Sequence, residues 1–317
     1  MLTIVYKIGV IFAMIAVGLI CNKRGLLPSA ANKYLIPLLM QITSPAMVLR
    51  AITSVEMSSE LIASTIAVMV GSILYYVLSC ILGTLVVRKS FLGKNARDAG
   101  VYICLLNLAN NGFMGMPITL SLFGEHYLYL MVLANIVMIV WVYSGGILQL
   151  HLGGNAGTSK LFGKGSLKAM INPSTVSSVL GIAMLFMGLH FPPFVMDVID
   201  PFADMCVPLS MLVVGIQLGQ SDLKSLFFRK DLAFTTFIKL IVVPLLTLAA
   251  VHFLPVGSDV KLTLVLAAAF PVAVVTTGIA AQENMNATLA SEGAAHSTAF
   301  SIITLPVFAY ILSSLYL

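Results

Sequence analysis

The chain has 317 residues, of which 59% are hydrophobic and only 9% are charged, and its formal net charge is +5. Because soluble domains usually carry about 25% charged residues, this composition excludes a water-soluble fold. The expected surroundings are a lipid bilayer. A nucleic-acid partner is not expected, because the positive charge follows the loops between apolar runs.

Ten apolar runs of membrane-spanning length follow one another along the chain. A bilayer core needs about 20 apolar residues per helical crossing, and the chain lacks the alternating strands of a membrane barrel. The sequence therefore predicts an all-α polytopic membrane protein with ten transmembrane helices. The first run lacks a basic start and a cleavage site and is expected to remain as the first helix. The runs lie near 4–22, 32–52, 61–87, 98–124, 127–151, 173–190, 194–218, 230–254, 260–283 and 287–316.

Lysine and arginine concentrate in the first, third, fifth and seventh connections between these runs. Thirteen of the 17 basic residues lie there, which places them on one side of a ten-span protein. The positive-inside rule makes that side cytoplasmic. Both termini are then predicted on the extracytoplasmic side of the cell (inner) membrane. The thirteen are Lys23, Arg24, Lys33, Arg88, Lys89, Lys94, Arg97, Lys160, Lys164, Lys168, Lys224, Arg229 and Lys230.

The longest polar connection, "HLGGNAGTSKLFGKGSLK" from His151 to Lys168, lies near the middle of the chain and indicates a linker. Five runs precede it and five follow, so the two halves must face the membrane in opposite senses. The predicted domains are a first five-helix repeat over 1–150, a cytoplasmic linker over 151–171 and a second, inverted five-helix repeat over 172–317.

An offset of 163 residues supports the repeat. It aligns Gly18 with Gly181, and it also aligns Gly25 with Gly188 and Pro45 with Pro208. The alternative is chance, since glycine is common in membrane helices.

The fourth run is interrupted by the stretch "LNLANNGFMGMPITL" at 106–120. It carries Asn107, Asn110 and Asn111, and Gly112, Gly115 and Pro117 weaken the helix. At the same offset, the two amides at 110–111 align with residues 273–274, just after Pro271 in the ninth run. Paired interruptions in inverted halves indicate the substrate site of a secondary transporter. The alternative is a pair of ordinary helix kinks.

Interrupted helices expose backbone groups that bind ions. The N–H groups at the start of a half-helix carry roughly half an elementary charge and favour a carboxylate or phosphate. Asn107, Asn110 and Asn111 have the i, i+3, i+4 spacing of one helical face, and Thr276 and Thr277 add hydroxyls after the second interruption. The alternative role of the amides is hydrogen bonding between helices.

Two ionisable residues lie well inside predicted spans. Lys239 is either a counter-charge for the substrate or a structural cation bonded to the carbonyls of a broken helix. His296 is a candidate for proton coupling, or else a packing residue. The four cysteines have no close CxxC partner and are interpreted as small apolar residues. No metal or cofactor is expected.

Four motifs occur in the order found in the auxin efflux carrier (AEC) family of permeases, which includes the plant PIN exporters and bacterial malate and malonate permeases. The stretch "ANNGFMGMPI" (109–118) resembles the family's fourth-span pattern, and "FPVAVVTTG" (270–278) matches the ninth-span proline. "STAFSIITLP" (297–306) is similar to the final span, and "VGLICNKRGLL" with "TSPAMVL" (43–49) to the opening spans.

The resemblance implies two inverted five-helix repeats whose broken helices 4 and 9 cross, a fold like that of PIN carriers and NhaA-type antiporters. It places the substrate-binding asparagine at Asn110 and the crossover proline at Pro271, and it makes a homodimer plausible. Spans one, two, six and seven would form a scaffold. Two departures are Ala109, where the family has proline, and the absence of a long loop after the fifth span. They put auxin itself in doubt as the substrate.

The expected function is secondary transport of small organic anions, mono- or dicarboxylates such as malate or malonate, by an elevator-like alternating-access mechanism. The alternative is a cation/proton antiporter or a sodium-coupled bile-acid-type symporter, so protons or sodium are candidate coupling ions. A less favoured alternative is an intramembrane enzyme using Asp197, Asp200 and Asp204, or Ser44 with a distant histidine. No recognised catalytic motif supports it, so the protein is not expected to be an enzyme.

Overall fold

A computed structural model describes residues 2–152, 170–220 and 228–317. Most of the predicted linker, with its three lysines, lies outside the described residues, as does Lys224. In chain order we number the described helices α1 (Leu2–Lys23), α2 (Ser29–Thr53), α3 (Ser59–Lys89), α4 (Ala96–Asn107), α5 (111–123), α6 (Glu125–His151), α7 (Pro173–Met187), α8 (Pro193–Gln220), α9 (Lys230–His252), α10 (Ser258–Ala269), α11 (Val275–Gln282) and α12 (Ala287–Tyr316).

Within the described ranges, seven helices are long and apolar enough to cross a membrane: α1, α2, α3, α6, α8, α9 and α12. The helix α7 is apolar but shorter. The other four are the halves of two interrupted runs, α4 with α5 and α10 with α11. Each apolar run of the sequence thus contains one helix or one interrupted pair. The protein is a multi-pass membrane protein, and its secondary structure over the described ranges is helical.

Proline explains three of the π-helical turns in the described helices. These turns span Leu39–Thr43, Asn111–Gly115 and Ile238–Val242, and a proline follows each at the second position of the next α-helical segment. Proline has no N–H to donate, and its ring crowds the carbonyl four residues earlier. A wider turn relieves that crowding without breaking the helix.

Gly25 and Gly188 occupy equivalent places after the first helix of each half. Both are left-handed, with φ of 75° and 64°, a conformation that glycine adopts without strain. They end α1 and α7, where such residues commonly terminate helices.

The helices form two bundles. One, which we call the α1 bundle, contains α1, α2, α7 and α8, and the other, the α6 bundle, contains α3 to α6 and α9 to α12. The backbones of α1 and α8 touch, because a Cβ built on Gly18 would lie only 2.4 Å from the Leu212 carbonyl oxygen, and one on Gly215 only 2.1 Å from that of Ile15. Small residues permit such close approach between membrane helices.

The helix α6 runs the length of its bundle. We therefore call the two ends of the molecule the Glu125 end and the His151 end, after the first and last residues of α6. The start of α2 and the end of α8 lie at the His151 end, where Gln220 donates to the Ser29 carbonyl at 3.4 Å. The end of α5 and the start of α10 lie at the Glu125 end, where His126 meets Asp259 at 3.0 Å.

Candidate functional site

The two interruptions meet in a short antiparallel backbone crossing. Ala109 pairs with Val272 in an isolated bridge. The N–H of Asn110 donates to the Pro271 carbonyl at 2.8 Å, and the N–H of Ala273 donates to the Leu108 carbonyl at 3.1 Å. Backbone groups released by the broken helices therefore bond each other, as non-helical backbone at membrane depth must.

Local sequence causes each interruption. Phe270 is extended (ψ 147°), as expected for a residue before proline, and this ends α10 at Ala269. The Asn110 side-chain oxygen accepts from the Phe113 N–H at 3.2 Å and caps α5, as asparagine commonly does at a helix start. The Val272 N–H donates to the Ser297 hydroxyl at 3.1 Å.

The shared helical face predicted for the three asparagines is corrected by the structure. The helix α4 ends at Asn107, and Asn110 has non-helical torsion angles (φ −82°, ψ 61°). The i, i+3, i+4 rule holds only within a continuous helix, so the three side chains point to different places.

A cavity of about 170 Å³ lies beside the crossing, between the two bundles. Its lining residues on α6 lie between Asn135 and Tyr143, and those at the start of α7 are Asn172 and Ser174. The cavity therefore extends toward the His151 end. Its polar lining consists of Ser44, Asn110, Asn135, Tyr143, Asn172 and Ser174. Its larger apolar side chains are Leu39, Met40, Phe113, Met116, Met138, Ile139, Val142, Val274 and Val275.

Two buried amides in this cavity have hydrogen-bonding capacity to spare. Asn110 is 4% exposed, and its amide nitrogen has no protein acceptor among the described residues. Asn135 is 6% exposed, and neither its oxygen nor its nitrogen is bonded to the described part of the protein. An unpaired buried amide costs stability, so two of them in one cavity are suited to a polar ligand.

The serine hydroxyls of the cavity lining belong to the α1 bundle. Ser174 lies 3.1 Å from Ser44, each through its Oγ atom. Asn172 caps α7 by accepting from the Thr175 N–H at 3.0 Å, and its side-chain oxygen is thereby occupied. The cavity thus takes polar groups from both bundles.

No charged side chain lines the cavity within the described residues. Its electrostatics come from amide and hydroxyl dipoles and from the start of α5, which is positive by its backbone orientation. Such a site can stabilise one negative charge. Two negative charges would be poorly compensated by a lining in which no described residue is a cation.

Of the other residues predicted for the site, Gly112 and Pro117 also line the cavity. Pro271 contributes the carbonyl that holds Asn110. Gly115 lies behind the lining, where a Cβ would stand 3.2 Å from the ring of Phe270. Gly115 therefore permits close packing at the crossing.

Asn107 is fully bonded to its neighbours. Its amide nitrogen donates to the Tyr76 carbonyl at 2.9 Å and to the Ser79 hydroxyl, and its oxygen accepts from Trp141 Nε1 at 2.9 Å and Gln149 Nε2 at 3.0 Å. These partners lie on α3 and α6. The side chain ties the end of α4 to both helices and has no capacity left for a ligand.

Asn111 points away from the cavity. Its amide nitrogen donates to the Tyr76 hydroxyl at 3.3 Å, and its oxygen is buried without a partner. Thr276 is buried outside the cavity lining, and Thr277 is half-buried there as well. The structure does not bring these three side chains to Asn110.

Lys239 and His296 also lie outside the cavity lining. The fully buried ammonium of Lys239 donates to the Ala268 carbonyl at 3.2 Å and to the Tyr75 hydroxyl at 3.1 Å. Ala268 is in the last turn of α10, so this geometry favours the structural cation. His296 lies 2.7 Å from the Thr236 hydroxyl.

Sequence reasoning missed Asn135, Ser44 as a lining residue, and Tyr143. Asn135 carried a usable signal, because it is an isolated amide within the apolar stretch "LMVLANIVMIVW", and polar residues inside spans are functional candidates. Ser44 carried none, since serine hydroxyls in helices commonly bond their own backbone. Tyr143 carried none, since tyrosines are common near the ends of membrane spans.

Comparison with known proteins identifies the family. The model of the membrane transport protein family matches residues 3–309. An uncharacterized transporter of Methanocaldococcus jannaschii is 23% identical over 311 residues, covering 96% of this chain and 97% of that protein. An uncharacterized transporter of Methanothermobacter thermautotrophicus is 24% identical over 209 residues, 65% of each chain. The resemblance read from the motifs is thus confirmed: the chain is a membrane transporter and belongs to the membrane transport protein family, that of the auxin efflux carriers.

Proposed function

We propose that the protein is a secondary transporter of small organic anions that binds the anion beside the crossing of the two interrupted spans. The observation that carries this proposal is the pair of buried amides, Asn110 and Asn135, which line one cavity and whose side-chain nitrogens donate to no described residue. Amide donors and a helix start suit a carboxylate. Asn111, Thr276 and Thr277 have no direct role in this proposal.

The cavity chemistry favours a monocarboxylate with an apolar body. The larger apolar side chains outnumber the polar ones, and no described cation is present for a second charge. A dicarboxylate such as malate or malonate would bring two charges into a site built from dipoles, where each desolvated charge is expensive. Ligand sites usually combine apolar walls with a few placed polar groups in this way.

The architecture supports an alternating-access mechanism. Gly18 in the first half contacts Gly215 in the second. The 163-residue offset aligns Gly18 with Gly181 and Ile52 with Gly215, and Gly181 contacts Ile52. A ten-span inverted repeat accounts for this correspondence. In an elevator-like cycle the α6 bundle, with its crossing and Asn110, would move against the α1 bundle and carry the anion across.

The distribution of lysines favours a cytoplasmic location for the His151 end of the molecule. Lys23, Lys33, Lys89 and Lys230 lie at or near helix ends there. The positive-inside rule then places the cavity on the cytoplasmic side. The conformation would be the inward-facing one.

The test is uptake of radiolabelled monocarboxylates into proteoliposomes by the wild type and by Asn110→Ala. We expect Asn110→Ala to lower kcat/KM about tenfold or more, because a hydrogen bond to a charged group contributes about 1.5–3 kcal/mol. Each assay is run with and without sodium and with and without a pH gradient, which distinguishes the symporter and antiporter alternatives.

The control is Thr277→Val, which keeps the side-chain shape at a predicted position that lies outside the cavity. It should transport like the wild type. Unchanged anion flux in folded Asn110→Ala protein would remove the proposed site. A cation flux with no organic anion present would favour the antiporter.

A further inference from the structure

Contacts between the two bundles differ at the two ends of the molecule. Toward the His151 end the bundles are separated by the cavity, which both of them line. Toward the Glu125 end they are joined by polar contacts. There Lys7 of α1 donates to the Leu122 carbonyl of α5 at 3.4 Å, and an arginine of α2 reaches the first residue of α6.

That arginine, Arg50, binds carboxylates from both bundles. Its Nε lies 3.2 Å from Oε1 of Glu125, which belongs to the α6 bundle. This contact is an ion pair without hydrogen-bond geometry, since Arg50 Nε has no hydrogen-bond partner among the described residues. Its terminal nitrogen donates to Oδ1 of Asp204 at 2.6 Å, and Asp204 lies on α8 in the same bundle as Arg50. The side chains of Arg50, Glu125 and Asp204 are 16%, 33% and 73% exposed.

The two contacts of Arg50 would respond differently to a movement of the bundles. The bond to Asp204 joins helices that pack within the α1 bundle, so it would persist. Glu125 has no other described partner, and its second carboxylate oxygen is buried and unbonded. If the bundles part at this end, Glu125 loses Arg50 and gains water, whereas Arg50 keeps Asp204.

The ion pair lies beyond the cavity along both helices that carry it. Arg50 follows Ser44 by six residues on α2, and Glu125 precedes Asn135 by ten on α6. At 1.5 Å per residue these separations are about 9 and 15 Å. The pair therefore lies at the Glu125 end, beyond the cavity for a ligand that moves toward that end between the described parts of the two bundles.

We propose that the Arg50–Glu125 ion pair is a latch that holds the bundles closed at the Glu125 end while the cavity is accessible from the His151 end. The latch rests on the proposed transport cycle. Each cycle must break the pair to expose the cavity to the opposite side and must form it again on return. The pair thus biases the resting protein toward the conformation described above.

The test measures conformation without transport, so its failure is distinct from failure of the proposed function. Single cysteines are placed in a variant whose four native cysteines are replaced by alanine. Met40→Cys lies on the cavity wall, and Ile11→Cys is buried between the bundles in the same small cavity as Ile118. Purified protein in detergent is reacted with a membrane-impermeant maleimide.

Glu125→Gln should slow labelling of Met40→Cys and accelerate labelling of Ile11→Cys. The expected change is about two- to fivefold, the range for partly exposed ion pairs. Arg50→Gln should act in the same direction, and adding Glu125→Gln to it should produce little further change. Changed rates in opposite directions support the latch.

The matched control is Asp259→Asn, which removes a carboxylate at the same end whose partners, His126 and Ser64, both lie within the α6 bundle. It should leave both labelling rates unchanged. Equal rates in folded Glu125→Gln and wild-type protein would overturn the latch. So would an equal effect of Asp259→Asn, since that would indicate a general response to lost surface charge.

Discussion

Asn107 and Asn135 are both buried amides in membrane helices, yet they have opposite surroundings. The first makes four hydrogen bonds to α3 and α6, and the second makes none to the described residues. A satisfied buried amide contributes to stability, whereas an unsatisfied one costs it. Residue type therefore does not distinguish an amide that is bonded within the protein from one that we propose to bind the anion, whereas the number of hydrogen-bond partners does.

Asn107→Ala should destabilise the protein by about 2 kcal/mol, taking about 0.6 kcal/mol for each of its four membrane hydrogen bonds. Thermal unfolding in detergent measures this change. The matched variant Asn135→Ala should retain or raise the wild-type Tm while losing anion affinity. Equal Tm values for Asn107→Ala and the wild type would contradict the structural role.

At the scale of elements, proline and glycine decide where helices widen, stop or approach each other. Pro45, Pro117 and Pro244 follow π-helical turns, and the residue before Pro271 ends a helix outright. Whether a proline widens a helix or ends it depends on whether other groups can hydrogen-bond the backbone N–H and C=O groups that an interruption releases. At Pro271 the fourth span accepts them, so the interruption persists only as one of a crossing pair.

The contact between α1 and α8 offers a test on one helix. Gly18→Ala should cost about 1–3 kcal/mol, since its Cβ would collide with backbone atoms that cannot move aside. Gly9→Ala on the same helix meets nothing within 4 Å and should be neutral or slightly stabilising. Thermal unfolding compares the two. Similar Tm losses would show that α1 does not pack on α8 in this register.

At the scale of the whole molecule, the orientation in the membrane decides which side of the membrane the cavity faces. Ser29 and Ser258 are exposed at opposite ends, at the starts of α2 and α10. The cavity extends toward the His151 end, so it lies on the cytoplasmic side only if that end is cytoplasmic. The distribution of lysine and arginine predicts that orientation.

Labelling of whole cells with a membrane-impermeant maleimide tests this orientation. In a cysteine-free background Ser258→Cys should be labelled in intact cells, and Ser29→Cys only after the membrane is permeabilised. The two substitutions are chemically identical and serve as each other's control. The reverse pattern would place the cavity on the outer side and would make the described conformation outward-facing.

The sequence by itself determined the membrane class, the positions of the apolar runs, both interruptions and the family. These follow from hydropathy and from proline, glycine and asparagine at particular positions, which act locally on the backbone. It also predicted a site role for Asn110, which lines the cavity, because that residue lies in the interruption itself.

Only the tertiary structure decided which other side chains face the cavity. The direction of Asn111 depends on the torsion angles at the break, and Asn135 and Ser44 come from helices distant in sequence. The contact between Arg50 and Glu125 likewise joins residues 75 positions apart. Such groupings depend on how helices pack, and packing brings together residues whose spacing along the chain carries no signal of their contact.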